Sequence, residues 1–449
     1  MKEKTKFEHN AVLQTVISCS GLAVFAAAFI YWLMTNANAT PAGTVIAAVM
    51  WALYVIICLR FVPAWLSFWS GEERAETESR SSSLKEKTVI FALFLGADII
   101  MLLLVYAARF LANGSVEPFL KELECFKQID TKYYLTISEG WYWDISNLVF
   151  FPGYPLCIRA ANCIVGNSFL SALIVSGLLY ALCGCFLYEL LLIDYPVKTA
   201  RRALKYLVIV PPAFFFAAPM SESLFLLTSI LAIYYFRKGH RLAGCFFGAC
   251  CAFTRAVGVL VFAPAVFEAV RELISEPSKK KKGLSGLAMC LIIPLGTAAF
   301  MAVNYFAAGD PLTFIKIEDS GWGQKLGFFF NSSALQINLI LNNIKEGSVQ
   351  YNPAIASNII ACFAALLLLV FASRRMRASY LVWFMVYYAI AIGPTFLLSG
   401  PRYLVSAVPL YIAFAELVGD KKTDAVLSAL CLAGSLCYIY MFASGGGVC

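Results

Sequence analysis

Residues 129–155 read IDTKYYLTISEGWYWDISNLVFFPGYP. The stretch opens on one acid, Asp130, runs through a dense set of aromatic rings, and closes on a turn in which two prolines bracket Gly-Tyr. On either side lie apolar runs, about 88–110 and 168–193, each long enough to cross the roughly 30 Å core of a bilayer. A chain built for lipid keeps its carboxylates for water-facing loops or for sites of function. The meaning of Asp130 therefore depends on the side of the membrane on which this stretch lies, and the rest of the chain decides that.

Hydrophobic residues make up 61% of the 449 and charged residues 14%, with a mean hydropathy of +0.76. A soluble domain carries about 25% charge, so the composition specifies an all-α polytopic membrane protein. The apolar runs are continuous where a barrel's would alternate, which excludes a transmembrane β-barrel. The net charge of +8 is spread over the ends of apolar segments and forms no single patch, so it argues against a nucleic-acid partner. Fifteen cysteines show no CxxC and no clustering with His9 or His240. Most lie inside apolar runs, where Cys acts as a small hydrophobe. Cys125, Cys157 and Cys163 fall in one loop and allow at most one disulfide. Neither a cofactor nor a metal site is expected. Asp310, Glu318 and Asp319 could bind a divalent cation, but their spacing is not diagnostic.

Thirteen apolar segments fall at about 11–34, 44–68, 88–110, 168–193, 204–220, 222–236, 242–254, 256–270, 286–306, 354–373, 379–398, 403–418 and 424–443. The N-terminal MKEKTKFEHN precedes the first, and without a clean cleavage site it reads as an uncleaved anchor. With the N-terminus inside, 24 of the 35 Lys and Arg fall on the inner side and nine on the outer, which fixes the orientation. Two long loops, 111–167 and 307–353, are then outside, and Asp130 with them. The N-x-S/T sequons at Asn38, Asn113 and Asn331 also fall outside, which matters only in a host that glycosylates. The charged, Ser-rich segment 70–87 separates an N-terminal hairpin (1–87) from a core (88–449), and no internal repeat is visible.

The segments between 204 and 270 are 13 to 17 residues long, short of the roughly 20 needed to span. One span over 242–270 would bury Arg255 at mid-membrane, so two short helices meeting at Arg255 are expected. Such broken helices are tolerated only around a polar cavity. An outer depression floored by Ser221, Glu222, Ser223 and Arg255 follows.

Each candidate residue has a plainer account beside the functional one. Asp130 could sit in water within an interfacial aromatic belt. Alternatively, it accepts a proton from an acceptor hydroxyl, with Tyr133 and Tyr134 supplying a platform for a sugar. Glu139 and Asp144 are weaker candidates for the same task. Tyr154 lies in the rigid FFPGYP turn. Ser221 and Glu222 fit a helix N-terminus, as N-cap and dipole-complementing acid. A carboxylate at that depth is also a functional candidate. Arg255 and Arg402, the latter beside Tyr403, could snorkel to lipid headgroups. They could equally hold a lipid phosphate, which suits a guanidinium fork.

Six segments carry a resemblance: IDTKYYLTISEGWY, FFPGYPLCIR, PPAFFFAAPMSESLFLL, LAGCFFGACCAFTRAVG, AGDPLTF with a following GW, and SGPRYLVSAVPLY, within about residues 88–418. In this order they resemble the PIG-V family, the second mannosyltransferase of GPI-anchor assembly and its prokaryotic relatives, within the GT-C class of membrane glycosyltransferases. The resemblance implies a GT-C fold with about 13 transmembrane or partly inserted helices and two long outer loops. It also implies inverting transfer of mannose from a polyprenyl-phosphate donor to a lipid or glycan acceptor on the extracytoplasmic face. Asp130 matches the family's catalytic acid, and Tyr133, Tyr134, Glu139, Tyr154, Glu222, Arg255, Arg402 and Tyr403 form the expected substrate-binding set. The chain departs from the family in three places. Tyr133 stands where His is common, the turn Thr254-Arg255-Ala256-Val257-Gly258 lacks a proline, and the hairpin 1–87 precedes the usual first span. It looks more like a bacterial relative, which would lie in the plasma membrane; a eukaryotic one would lie in the endoplasmic reticulum. The rival class is a transporter or flippase of lipid-linked sugars. The absent repeat and the concentration of polar and aromatic residues in an outer loop count against it.

Overall fold

A computed structural model of the protein describes residues 2–36, 40–70, 80–115, 117–275, 280–350, 352–395 and 397–446, and within these the side chains of 2–10, 68–70, 275, 280 and 282 are left aside. Asn38, Arg74 and Lys279 lie outside the described residues, as do the side chains of Lys2, Lys4, Lys6 and His9. The described residues are helical throughout, with no strand beyond one isolated bridge between Leu326 and Pro394. Among the described residues seven helices are long and apolar enough to cross a membrane: 11–35, 41–67, 84–113, 168–194, 283–308, 352–375 and 421–443. Shorter apolar helices include Arg241–Ala252, Ala378–Ala391 and Val408–Leu417. The chain is an all-α, multi-pass membrane protein.

Local chemistry sets where these helices start and break. Helix Leu84–Asn113 begins at a capping box between Ser83 and Glu86 and ends at Gly114 in the left-handed region, φ 74°. The apolar run at 204–220 does not form one span. An amphipathic helix, Val197–Ile209, stops because Val210 precedes Pro211 and is held extended, and a 3₁₀ turn, Pro211–Phe216, follows. The run at 256–270 likewise divides into a 3₁₀ turn, Ala256–Val261, and helix Phe262–Ser275. Pro294 opens the second half of 286–306, and Pro394 lies beyond the end of helix Ala378–Ala391. The two long loops are themselves largely helical, carrying Thr131–Gly140 and Gly153–Val165 in the first and Thr313–Trp322 and Phe329–Glu346 in the second.

The N-terminal hairpin packs into the bundle. Trp32 donates to Asn331 Oδ1 at 2.9 Å, and Tyr54 donates to the Met385 carbonyl at 3.0 Å. Asn331, one of the sequon asparagines, is thus engaged by an indole, and Ser332 beside it is fully buried.

The bundle has two chemically distinct ends. Helix Glu222–Arg237 has 16 residues, which sets its terminal side chains about 22 Å apart. At the Arg237 end, Arg237 and Arg377 interleave with Asp194 and Glu268, and Tyr380 donates to Asp194 at 2.9 Å. The Cys185 thiol contacts the Lys87 carbonyl, so Lys85 and Lys87 belong to this same end. Glu222 opens the opposite end, where the candidate site lies.

Candidate functional site

The residues picked out around 130, 222, 255 and 402 are far apart in sequence and form one chain of charge in space. Arg402 binds Glu222 Oε1 through Nε and Asp130 Oδ2 through Nη2. Arg255 reaches the same Glu222 oxygen through Nη1. The order is Asp130–Arg402–Glu222–Arg255, two acids against two guanidiniums. Glu222 is fully buried and Arg402 nearly so, while Asp130 keeps 24% of its side chain exposed. Asp130 is therefore the most accessible carboxylate of the chain of charge, and Glu222 and Arg402 are shielded from solvent.

Each position has a local cause. Asp130 precedes helix Thr131–Gly140 but does not cap it; its backbone carbonyl accepts from Tyr133 and Tyr134, which leaves the side chain to Arg402. Thr131 anchors that helix by donating to the Pro219 carbonyl at 3.1 Å. Ser221, expected as the N-cap of the next helix, makes no capping bond. Its hydroxyl pairs with Tyr134 at 3.0 Å and ties the Asp130 helix to the Glu222 helix. Arg255 follows the end of helix Arg241–Ala252 in an extended conformation. Two close approaches fix it there. Gly258 passes so near the Cys251 carbonyl that a Cβ would lie 2.0 Å from that oxygen, and Gly153 of the FFPGYP turn donates to the Phe253 carbonyl at 3.2 Å. Arg402 lies in the short helix Gly400–Val405, and Tyr403 holds its place by accepting from Tyr387 at 2.7 Å. The Arg255 guanidinium lies 5.5 Å from the Tyr403 ring centroid and 5.8 Å from that of Phe225, a cation–π sandwich.

The rings of the 129–155 stretch divide the labour among them, and Tyr134, buried and tied to Ser221, presents no open platform. Half-buried Tyr133 stacks on Phe150 at 4.5 Å. Tyr134 packs edge-on to Phe150 and Tyr154. Tyr154 is fully buried, and its hydroxyl is engaged by the Ala172 carbonyl at 3.0 Å and Ser176 Oγ at 2.7 Å. It supports Tyr134 and turns its polar atom away from the charge chain. Glu139 is exposed at the end of its helix, outside the cluster; only its carbonyl is engaged, by Arg159. Asp144 caps the next turn by accepting from Ser146 N at 2.9 Å. Ser223 donates to the Phe216 carbonyl at 2.7 Å and does not face the site.

The sequence offers Glu318 only as a cation ligand, with Asp310 and Asp319. The structure separates those three. Asp310 pairs with Lys316, and Asp319 with Lys325 at 3.2 Å. Glu318 is half-buried; burial first, and then the neighbouring Asp130 charge, push its carboxyl up to about 7. Its helix is held against the 129–155 stretch by Phe314, 6.0 Å from Phe151 and 5.4 Å from Phe300. No sequence signal places Glu318 near Asp130, because the ring that anchors its helix, Phe314, meets Phe151 of a stretch far away in the sequence. Among the described residues no group of three or more His, Cys, Asp or Glu side chains gathers as a metal site would require, and the described cysteines are all free thiols.

No family model matches the chain, and none of the curated proteins does. Among solved structures it is similar to the Archaeoglobus fulgidus oligosaccharyltransferase, solved tethered to an acceptor peptide, at 14% identity and a TM-score of 0.37. The match covers 79% of this chain and 55% of that one, so the chain spans about half the length of the protein it matches. A likeness this distant carries nothing about the site.

Proposed function

We propose that the protein is a membrane glycosyltransferase of the GT-C type that transfers a sugar, mannose in the first instance, from a polyprenyl-phosphate donor to a lipid or glycan acceptor, with inversion. The observation that supports this reading is the convergence of Asp130, Glu222, Arg255 and Arg402 into one charge chain at a single end of the bundle. They come from four of the six segments that carry the PIG-V resemblance. An inverting transfer needs a base for the acceptor hydroxyl and cations for the departing phosphate. Asp130, the accessible acid, takes the first role. Arg255 takes the second: it is the guanidinium with the greater exposure, 11% against 5%, and it shares only one acid. Arg402, held between two carboxylates, positions Asp130. The half-buried rings of Tyr133 and Tyr403 are the aromatic edges assigned to the sugar on this reading. The reaction lies on the extracytoplasmic face, on the distribution of Lys and Arg.

The test is an assay of the purified protein with a panel of polyprenyl-phosphate sugars, beside Asp130→Asn. That variant preserves shape and removes the base, so turnover should drop about 10²-fold or more with folding intact. Transfer from none of the donors would overturn the reading. Near-normal turnover in Asp130→Asn would move the base to Glu318.

A further inference from the structure

At the end of the bundle opposite the charge chain, two cavities adjoin. The larger, about 650 Å³, runs between helices Leu84–Asn113, Ser168–Asp194 and Val197–Ile209 and is walled by Val89, Ile90, Leu93, Phe94, Leu204 and Val208. That volume lies in the range of ligand pockets, about 300–1,000 Å³. Its mouth carries Lys85, Glu86, Arg201 and Lys205. The smaller, about 460 Å³, shares Arg201 and Lys205 with it and is completed by Lys198, Arg202 and Asp424. An apolar groove thus opens directly into a basic pocket. Together they hold five basic side chains against two acids.

Part of that charge is compensated within the protein and part is not. Lys205 pairs with Asp424 and donates to Ser428 at 2.9 Å, and Arg202 donates to the Val418 carbonyl. The nearest acid to Arg201 is Glu86, at 3.9 Å, and Glu86 sits closer to Arg80, at 3.2 Å. Arg201 keeps 68% of its side chain exposed. Lys198 is exposed and makes no ion pair among the described residues. The helix that presents them, VKTARRALKYLVI, buries Ala200, Ala203, Leu204 and Leu207 on one face and turns its cations to the other. The helix thus packs its apolar face on the bundle and presents a basic surface of the kind that attracts anionic headgroups.

We propose that the groove and its basic mouth form a binding site for one anionic diacyl phospholipid, with its phosphate against Lys198 and Arg201 and an acyl chain along Val89 and Leu93. Charge complementarity supplies the headgroup. Groove length supplies the tail: the wall from Lys85 to Ala97 rises about 18 Å, close to half the roughly 30 Å hydrocarbon core. A chain confined to one leaflet matches that depth, where a polyprenyl chain would overrun it. Val89 and Leu93 are 50% and 65% exposed, so the groove has apolar surface for a chain to cover. The site lies at the opposite end of the bundle from the charge chain and does not depend on the proposed chemistry.

The full-length protein, delipidated in detergent, is titrated with phosphatidylglycerol and separately with phosphatidylcholine, with bound lipid counted by native mass spectrometry. One phosphatidylglycerol should be retained in preference to phosphatidylcholine. The double variant Lys198→Glu, Arg201→Glu should lose roughly 30-fold in phosphatidylglycerol affinity while keeping the lipid-free Tm, since both side chains are exposed. Leu93→Trp, which fills the groove and spares the charges, should lower retention as well. Equal retention of the two lipids, or a preference that survives the double variant, means annular lipid only and overturns the proposal. Tighter retention of a polyprenyl phosphate than of phosphatidylglycerol overturns the choice of occupant.

Discussion

Glu222→Gln separates a charge chain that is structurally required from four charges that merely lie close together. The wild-type group is neutral: Asp130 and Glu222 oppose Arg255 and Arg402, and Glu222 has no exposed surface. Gln keeps the shape and removes the charge that both guanidiniums share. Arg402 retains Asp130, and Arg255 is left with no carboxylate among the described contacts. Breaking a buried pair by removing one partner costs about 3–5 kcal/mol. Unfolding releases about 2.1 cal/mol/K per residue; over 449 residues this makes the expected drop in Tm about 3–5 °C. In detergent, where much helix survives unfolding, less entropy is released and the drop is larger. Restoring neutrality should repair the loss. Glu222→Gln with Arg255→Met leaves only the Asp130–Arg402 pair, and the double variant should recover at least half of the lost Tm. Thermal unfolding of the four proteins in one detergent reads the cycle directly. An unchanged Tm in Glu222→Gln, or a double variant less stable than either single one, would refute the claim that this cluster is held by mutual neutralisation.

Three further outcomes follow from the same geometry. Glu318, with its carboxyl pushed up to about 7, binds a proton in the folded state that the unfolded chain has released above its ordinary carboxylate range; stability should therefore fall as pH rises from that range to about 7 and level off above it, and Glu318→Gln should flatten this segment of a Tm-against-pH curve. Arg402→Lys keeps one charge but loses the planar fork that spans Asp130 and Glu222, so turnover should fall in the order wild type, Lys, Ala with little change in donor affinity; wild-type turnover in the Lys variant would show that the fork does not aim the base. Gly258→Ala sets a Cβ against the Cys251 carbonyl; it should destabilise by about 1–3 kcal/mol, and a wild-type Tm and turnover would show that this approach does not fix Arg255.

The fold was legible because lipid imposes long apolar runs and puts basic residues at their ends. Where those runs break was only half legible. Pro211 and Pro294 announce breaks that hydropathy alone smooths over, so 204–220 reads as one short apolar segment and is the end of an amphipathic helix followed by a 3₁₀ turn. The meeting of short helices at Arg255 could be inferred from the cost of burying a charge at mid-membrane. The division of labour among the aromatic residues could not. Tyr133 and Tyr154 look equivalent in sequence, yet the hydroxyl of Tyr154 is closed off by Ala172 and Ser176 on another helix. Glu139 and Glu318 exchange importance for the same reason, because only the packing of Phe314 against Phe151 and Phe300 brings Glu318 to Asp130.

Arg402 shows how pairing in space changes a chemical argument. In the sequence it follows Gly400-Pro401 with no acid nearby, and an unpaired cation at that depth asks for a visiting anion. In the structure two acids, distant in sequence by 272 and 180 positions, already serve it. Arg402 is only 5% exposed, so a lipid phosphate would reach its remaining N–H groups only by pushing Asp130 or Glu222 aside, and either shift breaks a buried pair. Such an exchange is unfavourable in a dry site. At Arg255, 11% exposed, Tyr403 and Phe225 cover the faces of the guanidinium, so on the proposed reading a phosphate meets its N–H edge while Glu222 stays paired with Arg402. The anion then adds to the chain instead of breaking it, and the Asp130–Arg402 contact that aims the base survives donor binding. A donor and a poised base can coexist only under the second arrangement, and for that reason Arg255, the cation nearer the surface, is the one assigned to the phosphate.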